Sequence, residues 1–194
     1  MVANRELHLQ KVLLCIWWDW QGVVYYELLP QGETINSEKY CLQLDKLKQA
    51  IKDKRPELTN RKRVVFHHDN ARPHTSLVTR KRLQTFDWEI MTHPPYSPDI
   101  APSDYHLFRS LQNYLDGQKF NSLESVKNGL DEFFAQKPRG FYTSGIMKLP
   151  ERWQKIIDQN GQYITDWINS FVQNFCILFW GKKRHELSAV PIYK

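Results

Sequence analysis

The stretch "RVVFHHDNARPHT", residues 63–75, joins an apolar run directly to a cluster of polar side chains. Residues 64–68 predict a short buried strand, and Asp69 follows at its carboxyl end. Two interpretations of Asp69 are open from this stretch alone. It is either a turn residue that caps the next helix or a carboxylate that binds a metal ion. The rest of the chain is needed to choose between them.

Composition defines the class of protein. A chain of 194 residues with 41% hydrophobic residues can bury a core, which excludes a disordered tail and allows one good-sized domain. The net charge of +6 is compatible with a polyanionic partner such as nucleic acid. Cys15, Cys41 and Cys176 are too far apart to predict a zinc site or a disulfide framework. No run of eighteen apolar residues predicts a membrane span.

Segments with strand and helix patterns alternate along the chain. Residues 11–18 and 22–29 are β-rich and predict a hairpin, whereas residues 36–54 have the apolar spacing of a helix. A strand, a helix and a second strand follow in residues 64–93, and several helices come after them. This order predicts a single α/β domain in which helices cover a mixed sheet.

A second acid, Asp104, lies in "APSDYHLF", residues 101–108, and opens a predicted helix. Its local interpretation is an acid at the positive end of a helix with Ser103 as the cap. However, ligands collect at the carboxyl ends of strands in open α/β sheets, where Asp69 and Asp104 could converge. Two converging carboxylates repel each other unless a cation such as Mg²⁺ or Mn²⁺ lies between them, and paired ions suit phosphoryl transfer.

Longer motifs strengthen the metal interpretation. "HHDNARPHTS" followed by "HPPYSPDIAPSDYHLF" resembles the catalytic core of mariner-type DNA transposases of the Tc1/mariner superfamily. "WWDWQGVVYYELLPQGETIN" and "GIMKLPERWQKIIDQNGQYI" extend the resemblance to roughly residues 9–164. The separation of Asp69 from Asp104, with residues 70–103 between them, is the one that marks the mariner branch.

This resemblance implies a ribonuclease H-like fold and metal-dependent cutting and joining of DNA in the nucleus. Three acids hold two Mg²⁺ or Mn²⁺ ions in the family, and Asp69 and Asp104 resemble the second and the third. DNA is the implied partner: transposon ends in the family, and DNA without sequence preference here. The resemblance also allows a homodimer, and it implies neither a membrane nor a small-molecule substrate.

The first acid of the family has no counterpart in this sequence. It belongs to a Thr-Gly-Asp-Glu segment on the first strand, but Glu6 is the sole acid before residue 11, and Asp19 lies at the hairpin tip. The paired helix-turn-helix region is absent as well. We therefore expect residues 1–164 to form a partial catalytic domain that does not cut DNA. The alternatives are a non-catalytic DNA-binding or dimerisation module, or an enzyme whose first acid comes from a partner chain.

The absent strand is central in the family, where it lies between the hairpin and the strand that ends at Asp69. Another segment fills the gap, or the hairpin pairs differently, or the chain is only marginally stable. Residues 165–194 form a tail outside the resemblance. Its apolar part, residues 167–180, is interpreted either as an interfacial segment or, preferably, as sequence that no packing requirement shaped.

Three further groups of residues have both a local and a functional interpretation. His67, His68, His74, His93 and His106 fit no usual zinc spacing and are expected to be either polar surroundings of the carboxylates or satisfied surface groups. The basic residues in 52–63 and 80–82 are either DNA phosphate contacts or solvated side chains. Trp17, Trp18 and Trp20 are expected to pack rather than to stack on bases.

Overall fold

The computed structural model describes residues 12–30, 32–60, 64–165 and 176–179. Within these ranges the five strands are β1 (Leu13–Asp19), β2 (Gly22–Leu29), β3 (Val65–His68), β4 (Glu89–Met91) and β5 (Cys176–Phe179). The α-helices are α1 (Ser37–Lys54), α2 (Pro56–Asn60), α3 (Arg72–Thr75), α4 (Leu77–Gln84), α5 (Arg109–Leu115), α6 (Leu123–Gln136) and α7 (Arg139–Asp158). A 3₁₀ turn spans Pro98–Ile100 and a π-helix spans Ser103–Phe108. None of the helices in these ranges is long and apolar enough to cross a membrane.

The predicted hairpin is confirmed. Strands β1 and β2 pair antiparallel from Leu13 opposite Leu29 to Asp19 opposite Gly22. The turn is closed by Asp19, whose Oδ1 accepts hydrogen bonds from the backbone N–H groups of Gln21 and Gly22. A short acidic side chain that accepts from the backbone two residues on is typical of such turns.

The helix predicted over residues 36–54 is also confirmed, as α1. The side chain of Asn36 accepts a hydrogen bond from the N–H of Lys39 and so satisfies one of the first donors of the helix. The helix buries one face against the sheet, at Tyr40, Gln43, Leu44, Leu47 and Ile51.

Two cores lie on opposite faces of the sheet. Trp17 and Phe66 belong to the core beneath α1 and α4, whereas Trp18 belongs to the core beneath the π-helix and α5 to α7. Neighbouring residues of a strand point to opposite faces, so the two tryptophans fill different cores. Both are almost fully buried, which confirms the prediction that they pack.

The centre of the sheet is filled by a strand from the tail. The strand order is β2-β1-β5-β3-β4, and β5 pairs parallel with β1 and antiparallel with β3. Of the outcomes that the sequence leaves open, the structure therefore has another segment in the gap. The interpretation of the tail as sequence without a packing role is wrong for Cys176–Phe179. Without β5, backbone N–H and C=O groups of β1 and β3 would lack partners. The apolar segment Cys176–Phe179 supplies those partners, and its own backbone groups are paired in turn.

Two other elements differ from the predictions. Residues 56–60, predicted as loop, form α2. The sequence pattern predicts a helix over residues 149–161, but helix α7 begins at Arg139 and contains Pro150. Proline inside a helix removes one backbone hydrogen bond. Tyr142, Ile146 and Leu149 are buried one helical turn apart, and this packing outweighs the bond that Pro150 cannot make.

Candidate metal and nucleic-acid site

Asp69 is held immediately beyond the carboxyl end of β3. Its Oδ1 accepts a hydrogen bond of 2.9 Å from the N–H of Ala71 and a second bond from Nδ1 of His74. Burial opposes ionisation of this carboxyl group, but the bonds from His74 and Ala71 outweigh it and lower the pKa of Asp69. Asp69 is therefore a carboxylate at neutral pH.

The orientation of His74 is fixed by aromatic neighbours. An ionised carboxylate can only accept, so Nδ1 of His74 must carry the proton. The ring of His74 lies with its centroid 4.0 Å from that of Tyr40 on α1 and 5.5 Å from that of His68. The hydroxyl of Tyr40 is 3.1 Å from Nδ1 of His68. Burial and the neighbouring His74 lower the pKa of His68 to about 3, so its ring is neutral.

A second histidine pair joins β3 to the segment after β4. Nε2 of His67 and Nδ1 of His93 are 3.0 Å apart, and the side chain of Asn70 donates to the carbonyl of His93. Burial, followed by the neighbouring histidines, lowers the pKa of His67 to about 3. Four of the five histidines thus lie around Asp69, as the sequence predicted. His106 does not, and donates through Nε2 to the carbonyl of Phe141 at 2.8 Å.

Asp104 enters the site from the π-helix that replaces the first turns of the predicted helix. The residue before it, Ser103, accepts a hydrogen bond of 2.9 Å from Nε1 of Trp18. The residue after it, Tyr105, donates from its hydroxyl to the carbonyl of Gly145 at 2.7 Å. Asp104 is thereby held between β1 and α7. Such widened helical turns occur frequently at functional sites.

Helix α7 packs closely against the π-helix that carries Asp104. A Cβ atom on Gly145 would lie 2.3 Å from Cδ2 of His106 and 2.9 Å from its Cγ. Contacts below 3.0 Å force something to move, so the imidazole can reach its position only because residue 145 has no side chain.

The negative charge of Asp69 affects the ionisation of Asp104. Burial, and then the negative charge of Asp69, raises the pKa of Asp104 to about 9. Asp104 is only 4% exposed, and no donor among the described residues makes a hydrogen bond to its carboxyl oxygens. A buried acid without a donor and beside an ionised carboxylate is stabilised either by a proton or by a cation. The oxygen atoms of Asp69 and Asp104 are hard ligands, which fits Mg²⁺ or Mn²⁺.

A third carboxylate does not join them. The part of the chain that the structure describes contains no group of three or more His, Cys, Asp or Glu residues able to hold a metal ion. Asp19, the acid nearest to the hairpin tip, is engaged elsewhere. It is fully buried and forms an ion pair with Arg55, with its Oδ2 2.6 Å from Nε and its Oδ1 3.0 Å from Nη2.

Three residues of the site region were not predicted from the sequence. Asp99 is buried, and its Oδ2 accepts from the N–H of Ile164 at 3.1 Å. Arg152 donates through Nε to the carbonyl of Asp99, and its guanidinium lies 4.4 Å over the ring of Tyr105. Tyr163 is half-exposed beside them: burial, and then the charges of Asp99 and Asp104, raises its pKa to about 12. No spacing links Tyr163 to the motifs, but the acid in "PDIAPSD" was a visible signal for Asp99.

Several of the basic side chains that were predicted to contact DNA phosphates are instead engaged within the protein. Lys54 donates to the carbonyl of Val24 at 2.7 Å, and Arg55 is paired with Asp19. Arg82 forms an ion pair with Asp45. Residues 61–63 lie outside the described residues. Arg80 and Lys81 on α4 remain as exposed candidates for contact with phosphate.

The sheet with helices on both of its faces matches a DDE-type transposase domain with a ribonuclease H-like fold. The chain belongs to the mariner transposases, as part of their catalytic domain. A family profile described as "Transposase (partial DDE domain)" matches residues 1–61.

Among curated relatives, the Mariner Mos1 transposase of Drosophila mauritiana is 53% identical over 156 residues, which are 80% of this chain and 45% of that protein. The histone-lysine N-methyltransferase SETMAR of Homo sapiens is 42% identical over 157 residues, which are 81% of this chain and 23% of that protein. The chain therefore spans less than half the length of these relatives.

Among solved structures, the Mos1 catalytic domain with raltegravir and Mg has a TM-score of 0.79 and 52% identity, covering 81% of this chain and 79% of that one. A pre-cleavage Mos1 transpososome has a TM-score of 0.79 and 50% identity, covering 84% of this chain and 48% of that one.

Proposed function

We propose that Asp69 and Asp104 bind one Mg²⁺ or Mn²⁺ ion, and that this transposase-derived domain binds DNA without cutting it efficiently. The observation that carries the proposal is the electrostatic pairing of the two acids. Asp69 is ionised by its bonds to His74 and Ala71, and its charge raises the pKa of Asp104, which has no donor among the described residues. A cation relieves this repulsion.

Each side chain has a separate task in this proposal. His74 keeps Asp69 ionised and fixes its free oxygen, while Trp18 and Tyr105 hold the turn that carries Asp104. A divalent ion bound there would supply the Lewis acid that activates a phosphodiester and the attacking hydroxyl. Two carboxylates hold one hydrated ion but do not fix a pair about 3.5–4 Å apart, which is why we expect cleavage to be weak or absent.

Solved structures of relatives support both a divalent metal ion and DNA as ligands. Mos1 catalytic domains have been solved with Mg and with Mn, and the Mos1 transposase has been solved in a paired-end complex with the left transposon end. The second candidate function, a DNA-binding or dimerising module without catalysis, is favoured by the net charge of +6 and by exposed Arg80 and Lys81. With DNA as the partner, we propose the nucleus as the compartment.

Binding of Mn²⁺ measured by calorimetry tests the site directly. The parent chain should bind one Mn²⁺ ion weakly, and Asp69→Ala and Asp104→Ala should each abolish binding. Asp45→Asn is the matched control, because Asp45 is a half-buried aspartate paired with Arg82 away from the site. Binding that persists in both alanine variants would contradict the assignment.

Cleavage of a supercoiled plasmid with Mn²⁺ separates the two candidate functions. We expect no detectable nicking by the parent chain. Nicking that disappears in Asp69→Ala or Asp104→Ala would show a complete metal centre and would reject the non-catalytic module. Calorimetric binding without nicking supports the proposal as stated.

A further inference from the structure

Strand β5 is the connection between two halves of the sheet. The hairpin half consists of β2 and β1, and the site half consists of β3 and β4. Among the described residues β1 and β3 do not pair with each other, and both pair with β5. In register, Trp17 and His68 both lie opposite Cys176, and Trp18 and His67 both lie opposite Ile177.

The position of β5 demands an apolar strand. The core that contains Trp17 covers one face of the sheet and the core that contains Trp18 covers the other. Strands that are covered on both faces are near-continuous apolar runs rather than alternating ones. The segment Cys176–Phe179 reads "CILF", which has no polar residue. Its composition therefore suits the centre of this sheet better than it suits an edge.

Chain length allows the segment to come from the same molecule. Residues 166–175 provide ten residues between Thr165 and Cys176, and ten residues extend to at most about 33–36 Å. This reach is of the order of a small domain's diameter. A second molecule is not needed to fill the gap.

We infer that the cleft between β1 and β3 is a strand-binding site, and that its occupant is the chain's own segment Cys176–Phe179. This tail strand supplies backbone partners to both halves of the sheet. The inference does not depend on metal binding, since "CILF" brings no acid to the site. It does affect the site indirectly, because Cys176 pairs with His68, the residue before Asp69.

Hydrogen exchange of the full-length chain, read by mass spectrometry at residue level, is the first test. The amides of Ile177, Leu178 and Phe179 should exchange on the order of 100-fold more slowly than in an unfolded peptide of the same sequence. Their hydrogen exchange should also occur through the same opening events as that of the amides of β3. Exchange of these three amides at the unfolded rate would overturn the inference.

A proline substitution in the full-length chain is the second test. Ile177→Pro removes a backbone donor from the centre of the sheet, where proline is not tolerated, whereas the control Ile177→Val keeps the donor and the strand propensity. Ile177→Pro should lose protection in β1 and β3 and should aggregate, and Ile177→Val should behave as the parent. Equal protection of β3 in Ile177→Pro and the parent would contradict the inference.

Molecular mass distinguishes the source of the strand. Light scattering of the parent chain should give a monomer in which Ile177 to Phe179 are protected. A dimer with the same protection that exchanges subunits on mixing would show that the strand comes from a second copy, and would overturn the assignment to the chain's own tail. Loss of Mn²⁺ binding in the Asp69 and Asp104 variants leaves these exchange results unaffected, so the two proposals fail independently.

Discussion

The indole N–H of Trp18 donates a 2.9 Å hydrogen bond to the hydroxyl of Ser103, and both groups are completely buried. A residue of the hairpin thereby holds the residue that precedes Asp104. The bond joins the strand that packs under α7 to the turn that carries a candidate metal ligand. Its loss should affect stability and metal binding together.

Ser103→Ala leaves the indole donor of Trp18 buried without an acceptor. An unsatisfied buried donor costs about 1–3 kcal/mol, so thermal unfolding should begin several degrees lower, and Mn²⁺ affinity should fall as Asp104 loses its anchor. Calorimetry measures both effects. Ser144→Ala is the control, since Ser144 is exposed on α7 and its change should stay within about 0.5 kcal/mol. Equal behaviour of the two variants would reject this role of Ser103.

Gly145→Ala introduces a methyl group into the imidazole of His106, with a Cβ to Cδ2 distance of 2.3 Å. Overpacking of this kind costs about 1–3 kcal/mol. Gly140→Ala is the matched control on the same helix, because no atom lies within 4 Å of its added Cβ. That variant should be stabilised by about 0.5–1 kcal/mol through helix propensity. If denaturant unfolding showed both variants to be more stable than the parent, or both to be less stable, the packing argument would be contradicted.

Arg55→Met leaves the carboxylate of Asp19 buried without its cation. Breaking a buried pair by removing one partner costs about 3–5 kcal/mol, and the hairpin turn should open with it. Arg82→Met breaks the exposed pair with Asp45 and should cost about 0–1 kcal/mol. Urea unfolding of the two variants measures the difference. A similar loss in both would mean that the environment of Asp19 is effectively solvated.

Asp104→Asn should stabilise the metal-free chain at neutral pH. The pKa of Asp104 is raised to about 9 in the folded chain, so between its ordinary value of 3.8 and about 9 the folded state keeps a proton that the unfolded state has released. Stability of the parent therefore falls as pH rises through this range, and the asparagine variant lacks this loss. At pH 7 the variant should be more stable by on the order of a few kcal/mol.

The pH profile of thermal unfolding checks this prediction. The two chains should agree near pH 4 and diverge as pH rises. Saturating Mn²⁺ should stabilise the parent and leave Asp104→Asn unchanged. A parent chain whose stability rises between pH 5 and pH 8 relative to the variant would show that the carboxylate has a compensating donor.

DNA binding should be weak, independent of sequence and strongly dependent on salt. The double variant Arg80→Gln, Lys81→Gln removes two exposed cations, so the slope of log affinity against log salt should become shallower by about 1.8. Arg82→Gln is the control, because its guanidinium is engaged by Asp45 and should contribute little. Fluorescence anisotropy over a range of salt concentrations gives the slopes. An unchanged slope in the double variant would place the DNA contacts elsewhere.

Features that depend on local pattern were predicted from the sequence. The capping side chain of Asn36 and the apolar spacing of α1 define that helix, and the run before Asp69 defines β3. The sequence also led us to expect that Asp69 and Asp104 converge, because the carboxyl ends of strands meet at one edge; the charge of Asp69 raises the pKa of Asp104, and their role as a shared metal site stays a prediction. In each case the determining interactions lie within a few residues or follow a general rule of sheet geometry.

Features that depend on distant contacts were missed. Nothing in "CILF" indicates which strands it joins, since its partners β1 and β3 are remote in sequence. The π-helix at Asp104 depends on Trp18 and on the carbonyl of Gly145, which are remote in sequence. Arg55 resembled a DNA contact because its partner Asp19 is brought near only by the folded hairpin.

The pairing of Trp17 with Cys176 also determines when the domain can form on the ribosome. Translation adds about 5–20 residues per second, so the hairpin and β3 emerge several seconds before the tail strand leaves the exit tunnel. Contacts between the two ends of a chain are slow to form, because a long loop must close first. The strand edges of β1 and β3 that pair with Cys176–Phe179 therefore stay open until that segment has been synthesised.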